Sequence, residues 1–177
     1  MRITRSPLVQ LSRRRLVAWL GVLVAAGSKR PLHAQTPTSP SPFDSPVLAH
    51  ALRLHPGDDL RTSLMSYAER HGVRAAAIAS CAGSLTKAEI RFANQREGTA
   101  IAGPLEIVSL SGTLAATGGH LHIAVSDGAG KTLGGHLLAG CPIYTTAEIV
   151  LLEMSALAFT RERDAATTYD ELVIRKR

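Results

Sequence analysis

From residue 105 to residue 154 the chain is a succession of apolar segments whose connections are too short for a parallel crossover. The segments lie at 105–114, 121–125, 133–139 and 143–154, divided by glycine-bearing turns such as Asp127-Gly128-Ala129-Gly130. Parallel neighbours need a connection of a dozen or more residues, so these strands are expected to pair antiparallel. This half of the chain therefore cannot be a doubly wound α/β fold.

Upstream, residues 47–54 suit a strand, and Pro56-Gly57-Asp58-Asp59 reads as a turn into a helix N-cap. Leu60, Leu64, Tyr67 and Ala68 recur at helical spacing, and Gly72 supplies the stop. Residues 73–80 read as a buried strand. Residues 87–93 alternate, with Ala88, Ile90 and Phe92 against Lys87, Glu89 and Arg91, as a half-buried strand does. A polar loop is expected over 94–103 and a last strand over 169–174. The expected class is α+β, a mostly antiparallel β-sheet with one or two packed helices. Aromatic residues are only 4% of the chain, so the core must be built from Ala, Leu, Ile and Val. Walker loops, nucleophile elbows and dinucleotide fingerprints do not occur in the sequence.

The formal charge of +6 is unevenly placed. Residues 1–34 hold seven basic residues and no acid, whereas residues 35–177 carry a net −1. The basic balance therefore belongs to the leader, and the rest lacks the positive footprint of a duplex-binding protein. In the leader, Ser12-Arg13-Arg14-Arg15 precedes an apolar run over 16–27. Twelve residues span about 18 Å as a helix, short of the ~30 Å hydrocarbon core. The layout is that of an export signal, and its arginine pair resembles the twin-arginine type. The expected organisation is a signal peptide at 1–34, a Pro/Ser/Thr-rich linker at 35–46 and one domain at 47–177. The expected location is periplasmic or secreted, with membrane contact only through the signal segment.

The chemistry-bearing residues are histidines. His120 and His122 flank Leu121, and side chains at i and i+2 of a strand share a face. The Asp127–Gly130 turn then reverses the chain, so His136 returns beside them on the next strand. Three neutral imidazoles in this arrangement suit zinc or a related divalent transition metal and leave a coordination position open. Candidates to fill it are Cys141, Glu106 and Glu148; either carboxylate would also serve as a general base if the metal activated water. Alternatively, Cys141 is a small buried hydrophobe, or pairs with Cys81 as a disulfide. His50, His55 and His71 have no such grouping and read as surface or turn residues.

The order of several short motifs is distinctive. Leu54-His55-Pro56-Gly57-Asp58-Asp59-Leu60 is followed by Cys81-Ala82-Gly83-Ser84-Leu85, then by residues 103–112, Gly103 to Gly112. His120-Leu121-His122, Leu133-Gly134-Gly135-His136-Leu137 and Thr146-Ala147-Glu148-Ile149-Val150 complete the series. Over residues 48–175 the chain resembles the PPC domain (plants and prokaryotes conserved, also written PCC), in its stand-alone prokaryotic form. The resemblance implies an α+β fold around an antiparallel sheet and a homotrimer. It also implies a metal site on His120, His122 and His136, and a self-associating module that takes a partner or small ligand. DNA binding attaches to the family through its plant members. This chain lacks their Arg-Gly-Arg-Pro hook and has Gly103-Pro104-Leu105-Glu106-Ile107 where they carry Gly-Arg-Phe-Glu-Ile. DNA is therefore not an expected partner of residues 35–177. A metal-dependent enzyme is the alternative reading, with no substrate selected by the sequence.

Overall fold

The structure is a computed structural model and describes residues 43–177. The signal peptide expected at 1–34 and residues 35–42 of the expected linker lie outside the described residues. Strand β1 (Val47–Leu54) leads through the Pro56-Gly57 turn into helix α1 (Leu60–Arg70). There follow β2 (Ala75–Arg91), β3 (Thr99–Ala115), β4 (Gly118–Ser126), β5 (Thr132–Leu137), β6 (Ile143–Met154), β7 (Leu157–Arg163) and β8 (Asp170–Lys176). Six strands form one sheet in the order β1-β6-β2-β3-β4-β5, and β7 and β8 form a second. Every pairing is antiparallel, as the short connections require.

The segments expected at 73–80 and 87–93 are one strand of 17 residues. The Cys81-Ala82-Gly83 stretch between them has no alternation to read, and β2 absorbs it through register shifts at Ile78/Ser80 and Gly83/Leu85 against β6. The loop expected over 94–103 is shorter, because β3 begins at Thr99. Strand β7 is an addition to the expected elements. Its apolar signal is only Leu157 and Phe159 before Arg161-Glu162-Arg163, and those two residues are buried in a small second core with Ala75 and Ala115.

Helix α1 begins at Asp59, whose Oδ1 accepts from the Thr62 amide at 2.9 Å. Its other oxygen accepts from the Gly140 and Cys141 amides at 2.8 and 2.7 Å, so one carboxylate ties the helix start to the β5–β6 connection. Leu60, Leu64 and Ala68 point from α1 into the main core with Leu85, Ile90, Leu114, Leu121, Leu137, Ile149 and Leu151. A fully buried leucine of this kind contributes about 1.5–3 kcal/mol.

Strand β5 pairs with β4 along one edge and with the end of β2 along the other, through Ile90 opposite Leu137 and Arg91 opposite His136. The strands β2-β3-β4-β5 therefore close on themselves. Strand β6 lies between β1 and β2, with Ile143, Ala147, Ile149 and Leu151 inward and Tyr144, Glu148 and Val150 outward. The long apolar run at 143–154 is thus a central strand with one covered face. Beside Val150, the outer face of β1 carries exposed Val47, Ala49 and Ala51.

Candidate metal centre

Strand alternation builds the histidine face. Leu121 and Ile123 are buried, so His120 and His122 must point away from the core. His122 lies directly opposite His136 across the β4–β5 pair. The hairpin turn that sets this register is pinned by Asp127, whose Oδ1 accepts from the amides of Ala129 and Lys131, both at 2.9 Å. Gly135 allows the close approach of β5 to β2, since a Cβ there would lie 2.7 Å from the Arg91 carbonyl oxygen. Gly112 does the same between β3 and β4, where a Cβ would collide with the carbonyl oxygen of His120.

The three imidazoles converge. Their candidate ligand atoms all lie within 4.8 Å of one another. The ring centroids of His120, His122 and His136 stand 4.9, 5.0 and 4.6 Å apart in the three pairings. Nε2 of His120 lies 3.2 Å from Nδ1 of His136. Two nitrogens bound to one tetrahedral zinc at 2.0–2.1 Å stand about 3.3 Å apart, so this separation fits shared coordination with little movement.

Electrostatics keep the rings ready. Burial pushes the His120 imidazole below its ordinary value, and Arg161 and His122 push it further, against an opposing pull from Glu171. Burial does the same to His136, reinforced by Arg91. A metal binds the neutral imidazole, so these depressions favour the ligating form.

Of the six residues expected to contribute, the structure groups three. Cys141 is buried, accepts a hydrogen bond on Sγ from the Glu89 amide at 3.1 Å and stands outside the cluster. Its thiol is raised by burial, as is that of Cys81, which is pushed to about 11. Both cysteines are free, so the disulfide reading does not hold. Glu106 lies opposite Ser126, at the far end of β4 from His120. Glu148 lies on β6 between Arg53 and Ala82. Neither carboxylate belongs to the histidine group.

Three arginines near the centre carry no signal in the sequence. Arg61 reaches from α1 to donate to the carbonyls of Leu137 and Gly119 at 3.2 and 3.1 Å, each next to a histidine of the cluster in sequence. Arg91 lies opposite His136, and Arg161 donates to Thr113 Oγ1 at 3.0 Å, where Thr113 lies opposite His120. Strand register brings Arg91 to the site, whereas Arg61 and Arg161 reach it from α1 and β7 through side-chain hydrogen bonds. His50 also departs from expectation: it is held between the Tyr67 hydroxyl at 3.0 Å and Glu153 at 3.1 Å, and is half-buried rather than a surface residue.

A small antiparallel sheet with one helix and an outward three-histidine cluster defines a compact β-rich module with a candidate metal site. The sequence pattern of the Plants and Prokaryotes Conserved (PCC) domain matches residues 43–155, and the chain belongs to that family. It is 43% identical over 158 residues to the bifunctional protein GlmU of Synechococcus sp. (strain JA-3-3Ab), covering 89% of this chain and 24% of that protein. The chain thus spans about a quarter of the length of the curated relatives it matches. A hypothetical protein from Salmonella cholerae-suis superimposes with a TM-score of 0.75 at 45% identity, over 76% of this chain and 98% of its own. A metal-containing protein from Archaeoglobus fulgidus superimposes with a TM-score of 0.66 at 29% identity, over 75% of this chain and 99% of its own.

Proposed function

We propose that this PCC-domain chain is an exported homotrimer that holds one divalent transition metal on His120, His122 and His136 and takes a small ligand at the open coordination position. The observation that carries the reading is the convergence of three imidazoles within 4.8 Å on an outward strand face. An all-nitrogen donor set of this kind suits zinc. That an Archaeoglobus relative of the same fold is a metal-containing protein supports it. Elemental analysis of untagged protein, before and after zinc is supplied, is the test. One equivalent of metal is the expected result, and a sub-stoichiometric content after zinc addition would reduce the cluster to hydrogen-bonded strand histidines.

Self-association rests on the family resemblance and on the apolar outer face around Val150, Ala49 and Ala51. Export rests on Ser12-Arg13-Arg14-Arg15 and the short apolar run behind it. The net charge of −1 over residues 35–177 argues against duplex DNA as a partner.

A further inference from the structure

A divalent metal on the three histidines leaves a charge unbalanced, and the surroundings of the site say what would balance it. Three neutral imidazoles contribute no negative charge to a divalent ion. Arg91 lies opposite His136, and Arg161 donates to Thr113, which lies opposite His120, so two further positive charges border the same face. Neither guanidinium has a carboxylate within ion-pair distance among the described residues. The Arg161 side chain has one hydrogen bond among those residues, from Nη2 to Thr113, and its buried Nε has no acceptor. Arg91 uses Nη1 on the Gln95 carbonyl at 3.2 Å. The carboxylate that acts on His120, Glu171, already accepts from the Thr167 hydroxyl at 2.9 Å.

We infer that the open face of the three-histidine centre is an oxyanion site, where Arg161 and Arg91 pair with a ligand carboxylate or phosphate group that completes the metal's coordination. The inference rests on the proposed metal site. Guanidinium is the side chain whose planar fork matches such groups, and a hydrogen bond between charged partners is about twice as strong as a neutral one. Arg161 is tied to Thr113 on β3, the strand on one side of the histidine-bearing pair, and Arg91 belongs to β2, the strand on the other side, so the two flank the centre. A neutral ligand would gain less from this arrangement, because a neutral acceptor makes the weaker hydrogen bond to a guanidinium.

The test uses the full chain loaded with cobalt(II), whose visible absorption reports its coordination. Metal content is measured on every sample. Inorganic phosphate and oxalate are titrated separately, and the tighter of the two identifies the headgroup. Saturable spectral change is expected, with affinity falling at least about tenfold in Arg161→Met and in Arg91→Met and recovering in part in Arg161→Lys. Arg163→Met, at the exposed end of β7, should bind anions as the parent does. Protein holding one cobalt that ignores both anions, or binds them equally well without either arginine, would overturn the oxyanion site and leave the metal site standing. Protein that retains no cobalt would overturn both.

Discussion

The rings of His120 and His136 stack, with centroids 5.0 Å apart and planes 11° from parallel, although the residues belong to different strands. His122 stands edge-on to both. The group is therefore held by strand register, and removing one ring at a time tests its chemistry.

Replacing His122 with alanine removes a ligand and should weaken zinc binding by more than about 100-fold, a larger loss than outer-shell changes cause. Replacing His71, which hydrogen bonds to the Tyr67 carbonyl at the end of α1, should leave metal content unchanged. Isothermal titration with zinc on both variants is the measurement, and equal affinities would remove His122 from the site.

Metal and protons compete for the same nitrogens. Because burial and neighbouring charges lower His120 and His136, a proton is the weaker competitor at neutral pH. Protonation of these two rings should therefore weaken zinc binding only below the ordinary imidazole value of about 6.5. A decline that begins well above that value would contradict the assignment.

Arg61 should behave as a positioning residue. Its two bonds hold the Gly119 and Leu137 carbonyls, which adjoin His120 and His136 in sequence. Arg61→Ala should cost about 1–3 kcal/mol in denaturant unfolding. It should also lower zinc affinity by about tenfold. An unchanged affinity in a destabilised variant would confine Arg61 to stability.

Asp59 should govern the acid limb of stability. Burial alone would raise its carboxyl, but hydrogen bonds from Thr62, Cys141 and Gly140 together hold it below its ordinary 3.8. The unfolded chain then takes up the proton first, so the contribution is intact above that ordinary value and disappears as the pH falls through the lower folded one. Asp59→Ala loses the helix cap and leaves two amides without their acceptor, at a cost of about 2–4 kcal/mol at neutral pH. Urea unfolding across an acid series would read both effects.

Val150 is the place to test self-association. Val150→Lys puts a charge on the outer face of β6 without touching the inward residues Ile149 and Leu151. Light scattering should find a trimer for the parent at micromolar concentration and smaller species for the variant, whose melting transition should lose its dependence on protein concentration. A parent that is monomeric would defeat the trimer itself.

The histidine centre is legible in the sequence because its signal is local. An H-x-H pair fixes one strand face, and a glycine-containing turn of known direction returns His136. Strand β6 is equally plain, since its bounds of 143 and 154 coincide with the apolar run. What the sequence hides depends on distance along the chain. Arg61, Arg91 and Arg161 meet their site partners through tertiary contacts that no spacing announces. The unbroken course of β2 is hidden by the small residues Cys81–Gly83, which carry no alternation. His50 looks solitary because its partners, Tyr67 and Glu153, lie 17 and 103 residues away.

Strand β5 has six residues, and near His136 both of its edges are occupied. Side chains alternate along it, so adding or deleting one residue between Leu133 and His136 would send the imidazole toward the core and a leucine toward the other two histidines. Over generations this hairpin can exchange many of its letters at small cost, yet an odd-numbered insertion or deletion within the strand would abolish the centre at once. When distant relatives are aligned, gaps in this segment should therefore be weighed more heavily than mismatches.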